Sequence, residues 1–85
     1  MAKNTYIRAR PVAAGYQSLG PAGTVLSFVL ECPETNTSTV YLQGIDGVDV
    51  PLGPGAWYQF WSVDLSSIRF KGTPPDQVII VGQTS

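Results

Sequence analysis

"TVLSFVLEC", residues 24–32, alternates with the period of a β-strand. Successive side chains of a strand point to opposite faces. Leu26, Phe28, Leu30 and Cys32 therefore share one face, while Val25, Ser27, Val29 and Glu31 share the other. The first set carries no polar group and is expected to face a core. "LGPAG" (19–23) precedes the run and "CPETN" (32–36) follows it. Gly, Pro and Asn in such clusters end regular structure.

The same punctuation governs the rest of the chain. Nine glycines and seven prolines are spread over 85 residues. They leave no window with the i, i+3, i+4, i+7 spacing of an amphipathic helix. The remaining strands are read as "TYIRARPV" (5–12), "TVYLQ" (39–43), "VDVPL" (48–52), "AWYQFW" (56–61), "SIRFK" (67–71) and "QVIIVG" (77–82). Pro51 cannot donate to a ladder, which makes 48–52 an edge or a strand end. "QVIIVG" is apolar on both faces and is expected to be central. About seven short strands in a chain of this length predict an all-β fold, a compact antiparallel β-sandwich or small barrel. The chain is one domain, residues 1–85, with 1–5 expected as a flexible arm. Its core is predicted to join Leu26, Phe28 and Leu30 with Val40, Ile68, Phe70 and Ile80.

A domain this small buries only about 60–65% of the surface of its unfolded chain. Disulfides, metals or partner subunits often make up the shortfall. With one cysteine and no histidine, neither an intrachain disulfide nor a Cys/His zinc site can be built. Cys32, in a core-facing series, reads as a small buried apolar residue. Packing and association remain.

Within "AWYQFW" both strand faces carry rings: Tyr58 and Phe60 on one, Trp57 and Trp61 on the other. Either face could be the inner one; if Gln59 is wet, the core takes Tyr58 and Phe60. Trp57 and Trp61 are then left for a partner interface, or for a platform on which sugar rings stack. Interface centres are rich in Trp and Tyr and poor in charge, and only 13% of this chain is charged. Arg8 and Arg10 share a strand face, as do Arg69 and Lys71. These pairs read as solvated faces or edges that deter aggregation, or as contacts to an acidic partner surface; Arg8 and Arg10 join Trp57 and Trp61 as the candidate partner residues.

Catalytic motifs are absent from the sequence. No histidine is available for acid–base work. "GIDGVDV" (44–50) spaces Asp46 and Asp49 as a carboxylate pair or calcium loop would, but lacks the dense acidic run and closing Glu of an EF-hand; a hairpin turn is the simpler reading. No enzyme activity, metal or cofactor is expected. A net charge of −1 gives no field to hold nucleic acid or an anionic membrane, and no apolar run approaches the ~20 residues that span a bilayer. The first ten residues hold no apolar signal core, so synthesis in the cytoplasm is expected, and the sequon Asn36-Thr37-Ser38 carries little weight.

Residues 32–82 resemble a pattern seen in small structural proteins of tailed bacteriophages. It is carried by Thr35-Asn36-Thr37, Val40-Tyr41, the loop Gly44 to Gly47, the turn Pro51 to Gly55, Asp64 to Ile68, Gly72, and Val78 to Gly82. The resemblance implies a β-sandwich-like virion component without a catalytic motif, most simply a capsid decoration (cement) protein. It implies binding to the major capsid protein or other virion subunits, as a homo-oligomer for which a trimer is favoured. A head–tail or tail component, and a carbohydrate-binding module, are the alternatives.

Overall fold

In the computed structural model, residues 4–84 are described. Eight strands form: β1 (Thr5–Pro11), β2 (Gln17–Ser18), β3 (Val25–Glu31), β4 (Val40–Gln43), β5 (Asp49–Leu52), β6 (Trp57–Asp64), β7 (Arg69–Lys71) and β8 (Gln77–Thr84). They pair into two four-stranded antiparallel sheets. The first, sheet A, has the order β1-β8-β3-β6; the second, sheet B, has the order β2-β7-β4-β5. The fold is an open sandwich, not a closed barrel.

Only β4 and β5 are joined as a hairpin within one sheet; every other connection carries the chain across to the opposite layer. That is why turn signals fall so densely. Each crossing needs a sharp reversal, and the Gly and Pro clusters supply it. The turn at Gly44–Gly47 closes with Gly47 N–H donating to Gly44 O at 3.3 Å, with Gly47 at a φ of 73°. Pro51 lies on β5, an edge strand as expected. "QVIIVG" lies in β8, between β1 and β3.

The alternation of 24–32 is realised. Leu26, Phe28, Leu30 and Cys32 are buried, with Val40, Ile68, Phe70 and Ile80 from the other strands. Phe28 and Phe70, from opposite sheets, are the largest fully buried side chains. Phe28 also stacks on Phe60 with ring centroids 5.1 Å apart.

Three details differ from the expectation. The two-residue β2 follows the Gly15 turn and is too short to show an alternation. The strand expected over 67–71 begins only at Arg69. Asp64 caps a 3-10 turn, Leu65–Ser67, by accepting from Ser66 N–H at 2.9 Å. The expected arm over 1–5 falls partly outside the described residues, at 1–3. Thr5 belongs to β1, and Asn4 is tied to Thr84 by bonds of 3.1 and 2.9 Å, so neither is loose.

A polar knot joins the β3–β4 loop to the start of β8. Asn36 is buried; its amide donates to Gln77 O at 2.7 Å and to Cys32 Sγ at 3.1 Å, and accepts from Gln77 N–H at 3.0 Å. The side chain of the sequon is thus an internal strut. Asp76, also buried, accepts from Thr37 N–H at 2.9 Å and Ser38 N–H at 3.0 Å. The Thr37 amide bond holds its carboxyl below the usual carboxylate range, against the opposing pull of burial.

Candidate partner interface

The register of sheet A places its outward side chains in three cross-strand rows. Ala9, Ile79, Glu31 and Trp57 form the first. Ile7, Val81, Val29 and Gln59 form the second. Thr5, Gln83 and Ser27 form the third, and it runs on to Trp61. Side chains in such rows lie about 4.5–5.5 Å apart and form a continuous surface. Glu31 is the only charged residue in the three rows.

Apolar groups on this surface are open to solvent. Trp61 is 72% exposed, Ile7 70%, Trp57 59% and Val81 47%. An antiparallel sheet with one face on a core usually turns polar side chains outward. Here Ile, Val and Trp occupy six of the twelve outward positions in the rows, and both large rings stand on the edge strand β6.

The backbone helps to present Trp61. Between Leu26 and Phe28 the β3–β6 register shifts, so that Trp61 and Ser62 together oppose Ser27. Ser62 has a φ of 49° and donates its N–H to Ser27 Oγ at 3.0 Å. A serine in the left-handed region is strained. Bulges of this kind bend the strand and re-aim a side chain. Beside Trp61 lies a shallow hollow of about 600 Å³, floored by β3 and β8 and edged by Thr5, Val81 and Gln83.

Tyr58 and Phe60 stand on the side of β6 that faces sheet B, but of the two only Phe60 packs against the core, where both were expected. Because β6 is outermost in its sheet, the cover is incomplete: Phe60 is half-buried, and Tyr58 is exposed and donates its hydroxyl to Pro51 O at 3.1 Å. The two sheets gape slightly along this margin, where Leu42, Val50, Tyr58, Phe60 and Ile68 line an open apolar cleft of about 360 Å³.

Arg8 and Arg10 do not join Trp57 and Trp61. In β1 they stand opposite Ile80 and Val78, on the core side of sheet A. Arg10 is half-buried, donates from Nη1 to Leu19 O at 2.6 Å and lies 5.6 Å over the Phe70 ring. Arg8 lies 5.1 Å over Tyr6. At the open margin of the sandwich the aliphatic stem of such a side chain covers the core while its head reaches polar groups. The outward partners of the two Trp residues are instead Ile7, Val29 and Val81. Their signal was present in the two-faced apolarity of "QVIIVG", but joining it to Ile7 required the strand order.

The carboxylates considered for chemistry are engaged locally. Asp46 accepts from Val48 N–H at 3.3 Å within its turn. Asp49 accepts from the Tyr16 hydroxyl and from Gln43 Nε2, the latter at 2.9 Å; these bonds, the Tyr16 one foremost, lower its pKa. Tyr16 itself is pushed up to about 12 by desolvation first and by the bond to Asp49 second. Among the described residues no three His, Cys, Asp or Glu side chains cluster as a metal site would require. Lys71 lies 4.7 Å over Tyr16 and 6.0 Å over Tyr41, on the outer face of sheet B.

Comparison with protein-family models, with curated proteins and with solved structures finds no match to this chain.

Proposed function

We propose that this chain is a non-enzymatic structural subunit that works through protein–protein contacts, and that the assembly is a tailed-phage particle, with the chain as a capsid decoration protein. The observation that carries the contact reading is the outer face of sheet A: three rows with one charge, two exposed Trp rings and exposed Ile7 and Val81. The largest apolar patch of a free monomer is typically about 300–600 Å² and is often where it binds a partner; the exposed rings and aliphatic groups of this face reach that size. The placement in a virion rests on the resemblance of residues 32–82 to phage structural proteins. Its partners in that reading are the major capsid protein or other virion subunits, and it needs no cofactor.

Quantitative mass spectrometry of purified particles from a phage carrying this sequence tests the reading. Copy number comparable with that of the major capsid protein is the expected result. A few copies per particle would move the chain to the head–tail junction or tail. Absence from particles overturns the virion assignment.

A carbohydrate-binding reading has one observation in its favour, the hollow beside Trp61 with Thr5 and Gln83 on its rim. A glycan array probed with the purified chain addresses it directly: saturable binding lost in Trp61→Ser would favour this reading over the protein contact.

A further inference from the structure

We propose that the outer face of sheet A is a self-association surface, through which two copies pack sheet against sheet about a two-fold axis parallel to the strands. The inference rests on the reading above that this face is covered by protein, and it names the occupant as a second copy of the chain.

Three properties of the face support that occupant. The first is its relief. Both Trp rings stand on β6 at one edge of the sheet, and β1 at the other edge presents Thr5, Ile7 and Ala9. A two-fold axis parallel to the strands, lying between two facing sheets, puts β6 of each copy over β1 of the other. It also keeps each cross-strand row opposite its own kind. Trp57 then lies over Ala9, and Trp61 lies over Thr5 and the hollow beside it. In the middle row Ile7 lies over Gln59. High ground meets low ground on both sides at once, as an isologous interface requires.

The second property is area. The exposed parts of Trp57, Trp61, Ile7 and Val81 come to roughly 500 Å² per copy. Two copies would cover about 1,000 Å² from these four residues alone, near the least area a specific interface needs, before Ala9, Val29 and Ile79 of the same rows are added. The third is charge. Glu31 is the single ionised group in the rows, beside β6, and the same axis carries the two copies' Glu31 side chains to opposite sides of the centre line. Packing like on like therefore brings no array of equal charges together. Sheets that pack this way lie about 10 Å apart with strands within about 30° of parallel. The trimer implied by the phage resemblance needs a heterologous contact, and nothing in this relief favours one.

Sedimentation equilibrium of the purified chain gives the test, read beside acrylamide quenching of Trp fluorescence across a dilution series. The expected species has twice the 9.1 kDa chain mass, and quenching rises on dilution as the rings become exposed. Trp57→Ser on β6 should weaken association about tenfold or more, and Val81→Ser on the inner strand β8 severalfold, with the far-UV circular dichroism spectrum unchanged. A chain that is monomeric at about 100 μM, a trimer mass, or quenching independent of concentration overturns the pairing. The quenching series uses the unmodified protein and decides the matter even if a variant unfolds. A monomeric chain whose Trp57→Ser variant no longer joins particles would overturn the pairing and leave the contact reading standing. A monomeric chain whose variants join particles normally would remove both.

Discussion

Replacing Gly82 by Ala should destabilise the domain, although Gly→Ala in a strand ordinarily helps. Gly82 lies in β8 between Tyr6 of β1 and Phe28 of β3, and its φ is not in the left-handed region. Without a steric conflict, Ala there would stabilise by about 0.4–1 kcal/mol, because the unfolded chain loses freedom. Space decides the sign. A methyl at Gly82 would sit 2.7 Å from Phe28 Cα, and closer still to Ser27 O and Phe28 Cβ. These are atoms of β3 in the centre of the sheet, not the end of a flexible side chain. Relief requires β3 and β8 to part by most of an ångström, which weakens the ladder and loosens Phe28 in the core. Forced overpacking costs about 1–3 kcal/mol, occasionally more, and a rigid backbone obstacle places this site at the upper end. The net loss should be about 2 kcal/mol. For a domain of this size that lowers Tm by roughly 8–16 °C. Thermal unfolding followed by far-UV circular dichroism measures it, with Gly53→Ala as the control, since a methyl there meets nothing within 4 Å. If Gly82→Ala melts at or above the wild-type temperature, the close approach of β3 and β8 is not as described.

Phe28→Ala should cost about 3–5 kcal/mol, about a third or more of the whole stability of a domain held by on the order of 5–10 kcal/mol; an unchanged urea midpoint would refute its place at the centre of the core. Acid should loosen the molecule through Asp76. Its folded pKa is lowered, so its contribution is complete above the ordinary carboxylate value near 4 and fades as pH falls below it through the folded value. Urea midpoints measured from pH 6 to pH 2 should fall less steeply in Asp76→Asn than in wild type, and equal slopes would refute the role. Far-UV spectra should show β structure with no substantial helix, and the same spectrum with a chelator present; unfolding by the chelator would reveal a metal that the fold needs.

The alternation of residues 24–32 was enough to name the buried side of β3, because a period of two assigns faces from sequence spacing alone. For the same reason Ile68 and Phe70, which alternate with Arg69 and Lys71, could be assigned to the core before any strand order was known; Ile80, in a run apolar on both faces, was settled only by its pairing. Pro51 marked an edge because its nitrogen has no hydrogen to give. Turn clusters marked the strand ends because Gly and Pro restrict or release the backbone locally. The identity of each strand's neighbour was not local. β3 lies between β6 and β8, whose residues are tens of positions away in the chain, and no short-range preference encodes that choice. The tertiary structure therefore decided everything that depends on neighbours. It set Ile7, Val81 and Val29 in one row, and so turned scattered apolar residues into a surface. Arg10 was sent inward to Leu19 O and the Phe70 ring, because β1 ends its sheet and leaves the core margin open there. Tyr58 stayed partly exposed because β6 is also an edge, and an edge strand has a neighbour on one side only. The bulge at Trp61 and Ser62 is likewise a matter of pairing: an extra residue is extra only relative to the strand it faces.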